Sequence, residues 1–194
     1  MKAKKIISIV VSSIVLLFAI FVLVSAFIPK NFNLNLNEPD RITIYKNGEQ
    51  VQTYYKNENE QEFKKIMELY NKGFKTSFMQ AFFQGKSLKS VQTVDSASSF
   101  NASQMKDKEN IVFIEFCYNS EQETVKHGSD VEFDTDEKNY RHVVIEIKNS
   151  QVLTSMNAYI IKGNDVSSSY SYIKYTSYSA HNALYKYLSE GVLA

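Results

Sequence analysis

The densest group of side chains able to do chemistry is Asp130, Glu132, Asp134, Asp136 and Glu137. Carboxylates at alternate positions suit a hard cation such as calcium, which takes about six to eight oxygen ligands. An EF-hand loop would need a glycine at its sixth position and a closing glutamate at its twelfth, and neither falls in place. Val131 and Phe133 alternate with the acids, as at the end of a surface strand. The stretch is read as a solvated loop, with a weak cation site at Asp130, Glu132, Asp134 and Asp136 as the alternative. An Asp134/Asp136 acid–base pair is less well suited, because glycoside hydrolysis needs two carboxylates facing each other across a substrate.

His127, His142 and His181 are scattered, with no H-x-x-x-H or H-E-x-x-H spacing to make a zinc site. Cys117 is the only cysteine and sits in the apolar run IVFIEFCY. A buried, inert thiol is the reading, since apolar surroundings disfavour the thiolate. No G-x-S-x-G elbow and no phosphate-cradling glycine loop occurs. No catalytic residue, cofactor or metal is assigned.

Residues 167–179, SSSYSYIKYTSYS, hold six serines and four tyrosines. Tyrosine brings contact area at low entropic cost and serine brings adaptable hydrogen bonds, a mixture common in binding loops. Tyr170, Tyr172 and Tyr175 are the candidate partner contacts, and a tyrosine-rich edge strand is the alternative.

These side chains must be positioned by elements that the pattern also predicts. Asn47-Gly48 suits a two-residue turn with positive φ, giving a hairpin over 41–46 and 50–55 with Ile42 and Ile44 on one face. Asn59 with Glu62 can cap a helix over 60–73, whose stripe is Phe63, Ile66, Met67, Tyr70 and Phe74 and whose stop is Gly73. Phe78, Met79, Phe82 and Phe83 form a short apolar pattern ending at Gly85, read as core. Residues 86–110 read as a long polar loop.

Residues 111–118 are apolar on both faces apart from Glu115, which predicts a central strand with 122–127 returning beside it. In 140–147, Val143, Ile145 and Ile147 point inward and His142, Val144 and Glu146 lie opposite. Residues 152–161 run back, with Val152, Met156, Ala158 and Ile160 on one face, and 169–175 make a further strand. Ser179 can cap a last helix with Ala183, Leu184, Tyr187 and Leu188 as its stripe and Gly191 as its stop.

All of this follows an N-terminal run, residues 6–28, with no charged residue among its 23. As a helix it spans roughly 34 Å, against a bilayer core of about 30 Å. Lys2, Lys4 and Lys5 form a basic tip over residues 1–5, and the positive-inside rule puts that tip in the cytoplasm. A retained signal anchor is the reading. Val24-Ser25-Ala26 resembles a cleavage site, and cutting after Ala26 would make the chain a secreted one. The apolar run is longer than a signal peptide's usual ~7–15 residues, which favours retention.

Setting the three N-terminal lysines aside leaves 19 of 22 basic residues against 21 acidic ones. That near balance argues against nucleic acid as a partner. A single cysteine makes no internal disulfide, so an exported domain must be held by its core.

The expectation is α+β. A transmembrane helix (6–28) and a linker or edge strand (29–40) lead to one extracytoplasmic domain (41–194). Its mostly antiparallel sheet of five to seven strands is packed by two to three helices. The expected function is a membrane-anchored, non-catalytic interaction module of the cell envelope, of accessory, sensor or immunity type, contacting another envelope protein. A small-ligand or cation-binding domain, including a hydrolase, is the alternative.

Overall fold

The computed structural model describes residues 2–27, 29–31, 34, 36–85, 91–97, 106, 108, 111–123, 139–161 and 172–191. In chain order the elements are α1 (Lys2–Phe27), β1 (Pro29–Asn31), β2 (Arg41–Lys46), β3 (Glu49–Tyr55), α2 (Glu60–Gly73), β4 (Lys75–Ser77), α3 (Phe78–Phe83), β5 (Val91–Ala97), β6 (Val112–Glu123), β7 (Asn139–Ile147), β8 (Thr154–Ile161), β9 (Tyr172–Ser179) and α4 (Asn182–Glu190). They form two compact units, Met1–Asn31 with Thr76–Leu88, and Phe32–Lys75 with Lys89–Ala194.

The smaller unit is built on α1. From Ile6 to Val24 this helix is exposed except for half-buried Val22, and it is long and apolar enough to cross a membrane. The Ser13 hydroxyl donates to the Ile9 carbonyl at 2.9 Å, which is how a serine is tolerated in an apolar helix. β1 pairs with β4. α3 follows, with the Ser77 hydroxyl accepting from the Gln80 N–H as its cap.

The larger unit is a seven-stranded antiparallel sheet in the order β3-β2-β6-β7-β8-β9-β5. The α+β expectation holds. The β2–β3 hairpin turns at Asn47-Gly48, both with positive φ (52° and 82°), the signature of a type I′ turn. One sheet face carries Ile42, Ile44, Ile114, Phe116, Val143 and Ile145, all fully buried. α2 packs on it through Tyr70, whose ring lies edge-on to Phe116 at 5.0 Å. α4 adds Leu184 and Leu188.

Several details differ from the sequence reading. The polar stretch 86–110 contains a strand, β5, pairing with β9; Gln92, Thr93, Asp95 and Ser96 hide it because they lack the apolar alternation of a half-buried strand. β6 does not turn back at 122 but runs through a register shift between Cys117 and Gln122 to Glu123. The Asn59 side chain accepts from the Tyr55 N–H at 3.0 Å instead of capping α2. Ser179 lies buried in β9, and His181 takes the cap position of α4. Val152 is exposed, as is Ala183, so the stripe of α4 is narrower than expected. Phe82 and Phe83, read as core, are 60% and 76% exposed. The linker stretch 29–40 begins with β1, which ends at Asn31, and Leu34 is buried.

Candidate functional site

The second sheet face is buried too, and it carries charge. Cross-strand register lines up Tyr55, Arg41, Cys117, His142 and Ile161 in one row across five strands. The next row is Thr53, Thr43, Glu115, Val144 and Tyr159. A strand's period of two therefore puts Glu115 on the same face as Cys117 and His142.

Glu115 is 2% exposed and has three partners. The Tyr45 hydroxyl donates to it at 2.7 Å. His142 Nδ1 lies 2.9 Å away and Lys106 Nζ 3.3 Å away. Lys106 also sits 3.6 Å from the centre of the Tyr45 ring. Burial alone would raise the pKa of this carboxyl, but the His142 hydrogen bond, the Lys106 charge and the Tyr45 hydroxyl overcome it and hold it well below the usual range. Hydrogen bonds to Cys117 and Glu115 raise His142 to about 9, so it is protonated at neutral pH.

A parallel arrangement surrounds Glu146, 1% exposed. Lys108 Nζ lies 2.7 Å away, the Tyr159 hydroxyl 2.8 Å and Asn157 Nδ2 2.9 Å. Lys106 and Lys108, two residues apart, thus pair with glutamates on neighbouring strands.

Beside Cys117 the face opens into a pocket of about 290 Å³ lined by Arg41, Arg141, His142, Cys117, Asp40 and Tyr55. The Nε–H groups of Arg41 and Arg141 are buried and have no acceptor. A hydrogen bond with Cys117 raises the pKa of Arg41 further, against the opposing effect of burial. Asp40 is the one acid at the lining, and its Oδ2 already accepts from the Asn119 N–H at 2.8 Å. The pocket therefore offers positive charge and unfilled donors.

The order carboxylate, imidazole, thiol is also that of a nucleophilic relay. Here the imidazole already holds its proton against Glu115, and Cys117 is 5% exposed. What His142 offers at neutral pH is positive charge beside Cys117. Glu115, Cys117 and His142 also bring three ligand atoms within 4.8 Å of one another. Lys106 and Arg41 already supply the cationic charge that a metal would bring there.

Comparison with protein families, with curated proteins and with solved structures finds no match to this chain.

The residues singled out by sequence fall elsewhere. Asp130, Glu132, Asp134, Asp136 and Tyr170 lie outside the described residues, as does His127. Tyr172 and Tyr175 lie in β9, which β8 and β5 flank, so this is an interior strand and not an edge. Their register partners in β8 are Ile161 and Ala158. Three residues apart, they occupy positions of opposite parity. His181 is remote from His142 in its contacts: its Nε2–H donates to the Tyr70 carbonyl at 2.9 Å.

The two described histidines give stability an optimum in pH. Burial depresses His181 to about 4, only partly offset by its bond to Tyr70. Its contribution is complete above the ordinary value near 6.5 and is lost as pH falls toward 4. His142 has the opposite sign: its contribution is complete below about 6.5 and is lost as pH rises through about 9. Denaturant midpoints measured across pH should peak near pH 6.5. H181Q should flatten the acid limb above about pH 4.5, where the carboxylates are not yet protonating. H142Q should flatten the alkaline limb.

Proposed function

We propose that this chain is a membrane-anchored, extracytoplasmic, non-catalytic recognition module that takes an anionic group of an envelope component in the Arg41–Arg141–His142 pocket. The observation that carries this reading is the pair of buried arginine Nε–H donors without acceptors, set beside a protonated imidazole. Guanidinium groups recognise carboxylate and phosphate through paired, charge-assisted hydrogen bonds. The volume is at the small end for ligand sites, which suits a charged group better than a whole apolar molecule. The anchor is α1, and its N-terminal lysines favour a cytoplasmic tip with the rest of the chain outside.

The test is calorimetry on the full chain in detergent with inorganic phosphate, acetate and neutral N-acetylglucosamine as probes. Phosphate or acetate should bind, with affinity falling as salt rises, and the neutral sugar should not. A charged-group hydrogen bond contributes about 1.5–3 kcal/mol, so R41M/R141M should weaken binding by at least roughly tenfold. Heat from neither anion, or equal binding by the double variant, would remove the recognition role from this pocket.

A further inference from the structure

Among the described residues outside α1, Phe82 and Phe83 are two neighbouring large apolar side chains that are both exposed. Among the described residues of the smaller unit, α3 packs against α1 and β1. β1 begins two residues after α1 ends, so α3 sits at the C-terminal end of the long helix. Burial along the described part of α1 is confined to that same end, at Val22 and Ser25. Met79 and Ala81 are buried in α3, and Ala81 is fully enclosed. Phe82 and Phe83 are exposed, their rings edge-to-face with centroids 6.0 Å apart.

Local structure holds this display in place. The Ser77 hydroxyl caps the helix at the Gln80 N–H, 3.1 Å away. Gly85, with φ of +62°, ends it, and its N–H bonds back to the Phe82 carbonyl at 2.9 Å. In sequence, Lys75 and Lys86 bracket the segment.

An adjacent pair of exposed phenylalanines is costly in water and favourable at the boundary between headgroups and acyl chains. We infer that α3 is an interfacial wedge: Phe82 and Phe83 insert into the outer edge of the same bilayer that α1 crosses. The occupant is lipid because α3 packs, within one compact unit, against a helix long and apolar enough to cross a bilayer. The inference rests on the reading of α1 as a membrane span. It adds a second attachment to the membrane beside the span.

The chain has no tryptophan, so a single introduced indole reports its own surroundings. Full-length F83W, F82W and F18W would be reconstituted separately into phosphatidylcholine–phosphatidylglycerol vesicles. Each would be measured with acyl chains brominated near the headgroup or near the bilayer centre. The F18W indole should be quenched most by deep bromines. Those of F82W and F83W should be blue-shifted and roughly halved in intensity by shallow bromines, with little effect from deep ones. Quenching of F18W alone would overturn the wedge and leave the anchor standing. Failure of F18W to quench would overturn the anchor itself, and the wedge with it. Positions 82 and 83 are exposed, so neither substitution replaces a buried residue of α3.

Discussion

Replacing Gly73 with alanine should destabilise the protein by about 3 kcal/mol, lowering the melting temperature by roughly 6–12 °C for a domain of this size. The backbone does not forbid a side chain here: Gly73 is the last residue of α2, and its φ is not among the positive ones. Taken alone, a helix would gain about 1 kcal/mol from Gly→Ala. The obstacle is the His181 ring. A methyl group at Gly73 would overlap Cδ2 and Nε2 and come within 2.8 Å of Cγ.

The ring has nowhere to go. It stacks on Tyr70 at 5.6 Å and 7°, meets Phe74 edge-on at 4.9 Å, and is 2% exposed. The Ala180 N–H bonds to the Gly73 carbonyl at 2.8 Å, which holds the two chain segments together at this point. The cost should therefore depend on His181. In an H181A background, G73A should be neutral or stabilising by about 1 kcal/mol. Equal costs in both backgrounds, measured by urea denaturation, would show that the ring is not the cause.

The second large effect is expected at Glu115. Removing one member of a buried ion pair costs about 3–5 kcal/mol because the remaining charge has lost its partner. E115Q leaves two cations facing an amide, Lys106 and His142. His142 can respond by releasing its proton more readily, so its pKa should fall below about 9 while the Cys117 hydrogen bond still holds it up, readable by NMR titration of the ring. Lys106, 7% exposed, must reach for solvent or remain unpaired, and this is where the stability is lost. The double variant K106M/E115M should recover most of the loss, since an apolar pair of similar volume replaces a buried ion pair at little cost. If E115Q leaves both stability and the His142 titration unchanged, this buried ion-pair cluster contributes nothing to holding the face.

How much of the fold was legible in the sequence follows from which forces act locally. The Asn47-Gly48 turn was legible because positive φ is a property of the residues themselves. α2 was legible because Phe63, Ile66, Tyr70 and Phe74 repeat with the helical period. β6 was legible as a central strand from its apolar run broken only by Glu115, and β7 as a strand from its alternation. β5 was not, because its residues carry no alternation and its pairing comes from β9, more than seventy residues away in the chain.

The candidate site was less legible still. Glu115 was noted only as the polar exception in an apolar strand. Lys106 and Lys108 were lost in a polar stretch. One signal was present: two lysines two apart, matched to single glutamates within two otherwise apolar strand runs. Sequence alone does not say that Arg41, Cys117 and His142 form one row, because that depends on the register of three strands.

The sequence by itself determined the apolar helix of α1, the hairpin, the principal helices and the α+β class, since turn chemistry and hydrophobic periodicity act between near neighbours. Only the tertiary structure decided where charge is buried. It turned a lone cysteine, a scattered histidine and an arginine at a strand start into one electropositive pocket, and two core-like phenylalanines into an exposed pair. The physical reason is that burial, pairing and pKa depend on which strand lies beside which, and strand pairing is set by the whole chain at once.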